Sequence, residues 1–456
     1  MSKIVLLLIW LLGVLVLQPF PGHVSASGAI DLNELDARIA EGVTIEDLIA
    51  YAIEMNPGIK GSIEAHRSAK QGETLASALP DPQFMISYFP EPIETRLGPQ
   101  DWTANLTQMI PFPTKLSKAG KVAEANTRIT SLNRDKAVRD VTAAIKESFY
   151  ELYYIREARQ IAGHNMELID HLRKVAETSY AQYRTILMDV IKAQSQTAQI
   201  QYDILLLDEL EQTELVRLNG LLNRAPDTPI GELKDVLFPP LLLTLDELYG
   251  LAESYQQEIQ ISNTQIQRAD LKLDLAKANS MPNFRIGLFY SSIGEPDSSM
   301  TPDVDAGRDA IGIQAGISIP LWIGKNSSRK EGARADFNKQ KSVRQARLNE
   351  TRTNLSSLYF RLQNSRRLMT LYREELLPQA ARSIELAETW FRQGEGSFSN
   401  FVEAQSVLYN FQLSVARASA DYGKYLARLE KLTGCSLTGE QANLSVSEED
   451  HEEAES

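Results

Sequence analysis

Cysteine is almost missing from this chain of 456 residues: Cys435 is the only one, so no intrachain disulfide can form. It also lies far from the small-residue segment Val24-Ser25-Ala26, which is followed by Ser27, so a lipid anchor on an N-terminal cysteine is excluded. Cys435 directly follows Gly434 and reads as a small apolar residue beyond a helix stop. Positive charge is short as well. With Lys+Arg 47 against Asp+Glu 60, the net charge of −13 argues against a nucleic-acid partner, which needs clustered cations.

Long hydrophobic runs are nearly absent too. The one at Ile4–Leu17 follows Lys3, precedes Pro19 and Pro21, and falls short of the ~20 residues of a spanning helix. With Val24-Ser25-Ala26 as the cleavage segment, residues 1–26 read as a secretory signal peptide. No other run reaches spanning length, so helices do not hold the exported chain in a membrane, whereas a β-barrel stays open to it. Catalytic patterns are missing: there is no Ser/His/Asp grouping, nucleophile elbow or P-loop, which points away from an enzyme and from any cofactor. His164 and His171 stand seven apart without cysteine or clustered carboxylates, and the methionines are scattered, so no metal site is expected.

What the chain does contain is itself, twice. Val43-Thr-Ile-Glu-Asp-Leu-Ile-Ala-Tyr-Ala52 returns two hundred residues later as Leu243-Thr-Leu-Asp-Glu-Leu-Tyr-Gly-Leu-Ala252. The register holds through Ile59 and Ile259, Ala69 and Ala269, and Asp81-Pro-Gln-Phe84 against Met281-Pro-Asn-Phe284. Further on, Ala176-Glu-Thr178, Gln182 and Ala193-Gln194 return as Ala387-Glu-Thr389, Gln393 and Ala404-Gln405. A repeat this long means one structural unit built twice. We assign repeat one to 27–238, repeat two to 239–436, and an acidic disordered tail to 437–456.

Each repeat is read as short helices, a strand pair, a very long helix and a return helix. In repeat one, helix from Thr44 to about Leu79 breaks at Asn56-Pro57-Gly58 and stops at Pro80-Asp81-Pro82. Beyond it Phe84, Ile86 and Tyr88 alternate with Gln83, Met85 and Ser87, and Trp102, Ala104 and Leu106 alternate with Thr103, Asn105 and Thr107. Period two predicts strands at about 83–90 and 102–110, matched in repeat two by 284–292 and 310–319. Glu91–Asp101 and Ile293–Asp309 read as long exposed loops. Alternation with aromatics near the strand ends suits a membrane barrel, and it suits the edge of a soluble sandwich equally.

Between Thr114 and Arg184 there is no proline, and apolar positions such as Ile145, Leu152, Ile155, Ile169 and Leu172 recur at threes and fours. That spacing gives a helix seam facing a partner, in a helix too long for a compact domain. Long helices are expected at about 114–184, 189–223, 326–393 and 400–433, with Pro378 kinking or loosening the third. Four strands cannot close a barrel, so membrane insertion would demand several copies; a dimer and a trimer both satisfy that.

In these features the chain resembles the outer-membrane efflux protein (TolC) family. The resemblance rests on Pro80-Asp81-Pro82, on Gln108-Met-Ile-Pro-Phe-Pro113 and Ile319-Pro-Leu321 at the strand-to-helix handovers, and on Leu377-Pro-Gln-Ala380 and Ala387-Glu-Thr-Trp-Phe-Arg-Gln-Gly394. Pro-Asp-Pro and Ile-Pro-Phe-Pro look like segments of the family's heavy-metal efflux branch. The resemblance implies a mostly α protomer of long antiparallel coiled-coil helices plus four strands. Three such protomers would form an α/β-barrel channel-tunnel through the outer membrane and periplasm. It implies a homotrimer and the exit duct of a tripartite efflux pump or type I secretion system. The partners would be outer-membrane lipid, a periplasmic adaptor and an inner-membrane transporter of RND or ABC type. A periplasmic adaptor or structural coiled coil would share the signal and the helices, but it needs no strand pair in each half.

In the family the helix-reversal tips form the periplasmic entrance. By motif position the entrance residues fall on Asp189, Asn400 and Glu403, with Asn400 neutral where an acid is frequent. Copies of Glu403 around an axis would attract cations. Asp189 and Asn400 stand where helices begin, so side-chain capping is the competing role for both. Phe391, Gly394 and Gly396 are expected to shape the tip that an adaptor grips, while repeat one has Arg184-Thr185 where a tip glycine is usual.

Overall fold

The computed structural model describes residues 32–183, 185–295, 304–393 and 395–438. The expected signal peptide, most of the acidic tail, Gly394 and the middle of the 293–309 loop lie outside them. After α1 (Leu32–Glu41) and the two-residue β1 (Gly42–Val43), repeat one runs α2 (Ile45–Met55), α3 (Pro57–Ser77), β2 (Gln83–Thr95), β3 (Gly98–Pro111), α4 (Pro113–Ala181) and α5 (Leu187–Leu222). Then β4 (Glu232–Leu233) pairs in parallel with β1. Repeat two runs α6 (Leu245–Tyr255), α7 (Gln257–Ala278), β5 (Asn283–Ile293), β6 (Ala310–Ser318) and α8 (Ile323–Thr370). A π-helical turn at Leu371–Leu376, α9 (Leu377–Gln393) and α10 (Phe398–Thr433) complete it. Neither α1 nor the β1–β4 bridge was expected from the sequence.

The copies begin alike for a physical reason. Thr44 and Thr244 each cap their helix, accepting from the backbone N–H of Asp47 and Glu247, whose carboxylates accept from the cap residue in return. One turn into the following helix, Ile59 and Ile259 are both buried.

The strands form one antiparallel sheet in the order β2-β3-β5-β6. Its register lines up Phe84, Leu106, Leu288 and Ile313 in one row and Ile86, Ala104, Tyr290 and Ile311 in the next. The opposite face carries Thr103, Asn105, Thr107, Arg285, Ser291 and Gln314. Phe84, Ile86, Tyr88, Ile311 and Ile313 are all more than half exposed, so this apolar face has no cover within the chain. The first expected loop, Glu91–Asp101, is corrected: β2 and β3 continue to a tight turn, Thr95 opposite Gly98. A register shift between Tyr88 and Ile93 takes up Pro90 and Pro92, which an edge strand with a bulge accommodates.

α4 is 69 residues long, ~100 Å at ~1.5 Å per residue. Its seam residues Ile145, Ser148, Leu152, Ile155, Ala162, Ile169, Leu172 and Ala176 are buried. Charge pairs tie it to α10 across the repeats: Lys146 with Glu430 at 2.6 Å, Arg428 with Glu147 at 2.6 Å, Arg417 with Glu151 at 2.7 Å, Lys431 with Asp140 at 2.9 Å. Between these pairs Gly423 lets the helices touch, because a Cβ there would sit 2.5 Å from the Tyr150 ring. In repeat two the long helix is interrupted. Pro378 has no N–H for the carbonyl four residues back, and just before it the ladder slips, with Leu377 N–H reaching Tyr372 five residues back.

Candidate entrance at the hairpin tips

The end of the helices away from the sheet carries both reversals. In repeat one α4 closes at Gln182, whose N–H reaches Thr178 and Tyr180 carbonyls, and Tyr183 turns the chain at φ 58°. Ile186 is the N-cap of α5 and makes no side-chain cap bond. In repeat two the Trp390 carbonyl accepts from both Glu395 and Gly396 N–H at 3.0 Å, and Ser397 caps α10 by accepting from Asn400 N–H at 3.2 Å. Asp189 and Asn400 are therefore not the caps. Each is the third helical residue beyond its cap, a position from which a carboxylate still favours the helix N-terminus.

Around these turns the side chains differ. Asp189 is buried and accepts from the Thr185 hydroxyl, whereas Asn400 and Glu403 are exposed. Phe398 and Phe401 are fully buried, and the half-buried Phe391 stacks edge-on to Phe398 with centroids 5.5 Å apart. Gly396 leaves room for the Trp390 carbonyl turn, since a Cβ would meet Trp390 Cβ at 3.0 Å. Tip one instead exposes Tyr183, Ile186, Leu187 and Met188. The two tips meet where Lys192 Nζ donates to Ser399 Oγ at 2.9 Å. Higher up, the buried Gln405 amide donates to Asn165 across the hairpins, and burial pushes the Tyr409 phenol up to about 12, with Asp203 adding to the effect.

Lys192, Ser397 and Thr185 were missed by sequence reading. The signal for Lys192 was present, because the offset that maps Ala176 to Ala387 and Asp189 to Asn400 also maps Lys192 to Glu403. The structure thus brings Asp189, Lys192, Ser399, Asn400 and Glu403 to one end of the molecule. It holds the first of them against its own chain. Among the described residues no group of three or more His, Cys, Asp or Glu is placed to hold a metal, and no helix is long and apolar enough to cross a membrane.

Residues 248–435 match the family model described as outer membrane efflux protein. No curated protein matches the chain in sequence. The fold is shared along nearly the whole chain with solved outer-membrane proteins. VceC from Vibrio cholerae is 17% identical with a TM-score of 0.73, over 86% of this chain and 97% of that one. The CmeC outer membrane channel of Campylobacter jejuni is 13% identical with a TM-score of 0.67, over 94% and 97%. The MtrE outer membrane channel of Neisseria gonorrhoeae, solved in its open state, is 15% identical with a TM-score of 0.65, over 86% and 89%. The match to the outer membrane efflux protein family covers most of the second repeat, and the duplicated hairpin and uncovered sheet carry the likeness in fold through the first.

Proposed function

We propose that three copies of this chain close their sheets into a twelve-stranded barrel and their helices into a tunnel. The assembly is an exit duct that passively conducts cargo from an inner-membrane transporter, through a periplasmic adaptor, across the outer membrane. The observation that carries this reading is the four-stranded sheet, apolar on one uncovered face and unpaired at both β2 and β6, standing on helices ~100 Å long. Lipid tolerates no open strand edge, so copies must supply the missing neighbours. A periplasmic adaptor would have no use for an uncovered apolar sheet. Fractionation with a heat-modifiability gel tests the choice: the duct is recovered in outer membranes as a heat-sensitive oligomer, and recovery as a soluble monomer would sink it.

The entrance is the constriction in this reading. Glu403 faces solvent on the first turns of α10, and three copies around an axis would hold cations there. Lys192 at the equivalent place in repeat one would alternate with Glu403 around the ring and weaken that selection. Asp189, being buried, acts as a brace for the turn. Single-channel recordings of Glu403→Ala should lose cation preference, and Lys192→Gln should gain it; unchanged selectivity in both removes the ring. An adaptor would grip the tip that Phe391 and Gly396 shape, with Gly394 lying between them in the sequence, so Gly394→Val should abolish adaptor crosslinking while the oligomer persists. The likeness of the Pro-Asp-Pro and Ile-Pro-Phe-Pro segments to the heavy-metal branch makes metal ions the first cargo to test, in a metal-tolerance assay with a strain lacking the duct.

A further inference from the structure

Where the strands hand over to the long helices, the sheet's apolar face ends in a band of exposed apolar residues: Ile319, Leu321, Trp322 and Ile323. Immediately below come cations. Lys325, Arg329 and Lys330 lie on α8, and Lys115 lies at the same third-residue position of α4 as Lys325 does of α8. Lys115 Nζ donates to the Met281 carbonyl at 2.8 Å and to Asn283 Oδ1 at 2.6 Å. Among the described residues Arg329 donates to Asn326 Oδ1, at 3.3 Å. Lys325 and Lys330 are exposed, and none of the four is in an ion pair with a carboxylate of the described residues. Burial lowers the Lys115 pKa and the positive field of Arg329 lowers it further, so cations from both repeats crowd one another here.

This gathering runs against the chain's net charge of −13. It also runs against helix electrostatics, because cations near a helix start are unfavourable unless something outside the helix answers them. We propose that this rim binds the headgroups of anionic phospholipids in the periplasmic leaflet of the outer membrane, with Lys325, Arg329, Lys330 and Lys115 as the phosphate-contacting residues. The proposal rests on the membrane-inserted reading above. Distances agree with it: at ~1.5 Å per residue, Lys325 to Lys330 fall within ~10 Å of Ile323. A headgroup layer of ~5–7 Å lies at that depth, and long cationic side chains reach up into it. Trp322 marks the interface on the same side, as amphipathic rings do.

The test uses the full chain in nanodiscs of phosphatidylcholine alone or mixed with phosphatidylglycerol, measuring the lipid that stays bound when discs are dissolved in mild detergent. Phosphatidylglycerol should be enriched about fivefold over its bulk fraction, in line with the attraction of single cations to anionic surfaces. Raising the salt to about 0.5 M should reduce the enrichment. The triple variant Lys325→Gln, Arg329→Gln, Lys330→Gln should insert into phosphatidylcholine discs as an intact oligomer yet lose the enrichment. The control Lys339→Gln, Arg361→Gln, farther along α8, should keep it. No enrichment in the unsubstituted chain, enrichment that survives the triple change, or an equal loss in the control overturns the proposal. A triple variant whose oligomer falls apart in neutral lipid assigns these cations to a neighbouring copy and overturns it too. Failure of the unsubstituted chain to enter phosphatidylcholine discs is a different result, because it brings down the membrane reading and the lipid rim with it.

Discussion

The first hairpin is built on a helix unbroken from Pro113 to Ala181; the second is built on α8 and α9, with a π turn at Leu371–Leu376 between them. The tips invert this difference. Tip two is clamped by buried Phe398 and Phe401, while tip one leaves Ile186, Leu187 and Met188 exposed. Duplication therefore kept the architecture and divided the mechanics. One hairpin is a stiff rod with a soft end, and the other is a jointed rod with a packed end. Movement in the second belongs at the joint, since a mid-helix π turn marks a place where the ladder is already adjusted.

The sharpest way to break this contrast is at the tips. Phe398→Ala should destabilise tip two by about 3–5 kcal/mol, the range for truncating a buried aromatic, whereas Ile186→Ala at tip one should stay within about 0.5 kcal/mol. Hydrogen exchange at the two reversals reads both, and equal protection losses would erase the distinction. Gly423→Val should be next. It forces α10 away from the Tyr150 ring on α4, an overpacking that costs about 1–3 kcal/mol and should lower the thermal midpoint.

The charged seam joining the repeats adds a pH dependence. Burial by itself would raise the Glu151 carboxyl, but hydrogen bonds from Lys424 and Arg417 outweigh it and hold the group below its ordinary range. A depressed folded value means the contribution is complete above the unfolded value of about 4.3 and is lost as pH falls through the folded one. Glu151→Gln should therefore cost about 1–2 kcal/mol at neutral pH and flatten the acid limb of the stability profile. The smallest effects test sameness. Thr44→Ala and Thr244→Ala should each cost about 1 kcal/mol, since both delete the same cap, and unequal melting shifts would show where the copies have parted.

Much of this was legible because it rests on local rules. Thr44 with Asp47 and Thr244 with Glu247 announce helix starts, alternation from Phe84 to Tyr88 announces a strand, and Pro378 announces a flaw in a helix. The length of the β2–β3 strand pair was misread because Pro90 and Pro92 signal a loop unless the strand is known to be an edge, which is a fact of sheet order. The helix caps were misplaced for a related reason. Asp189 and Asn400 are good capping residues, but the caps are Ile186 and Ser397, three residues earlier. The buried Asp189 accepts from the Thr185 hydroxyl across the residue that caps the helix, a contact set by the turn and not by the residue types alone. The repeat offset pairs Lys192 with Glu403, but its hydrogen bond to Ser399 joins different repeats and needs the two tips in contact.

The bare backbone at β2 and β6 also has a genetic meaning. In the proposed ring of three, every copy would complete its two neighbours, so one defective protomer would spoil the wall that two sound ones have begun. A cell making equal amounts of sound chain and of a chain with a ruined edge strand would keep only about one ring in eight free of the defect. Lesions in those strands should then behave as dominant, while lesions confined to an exposed loop should be masked by a good second copy.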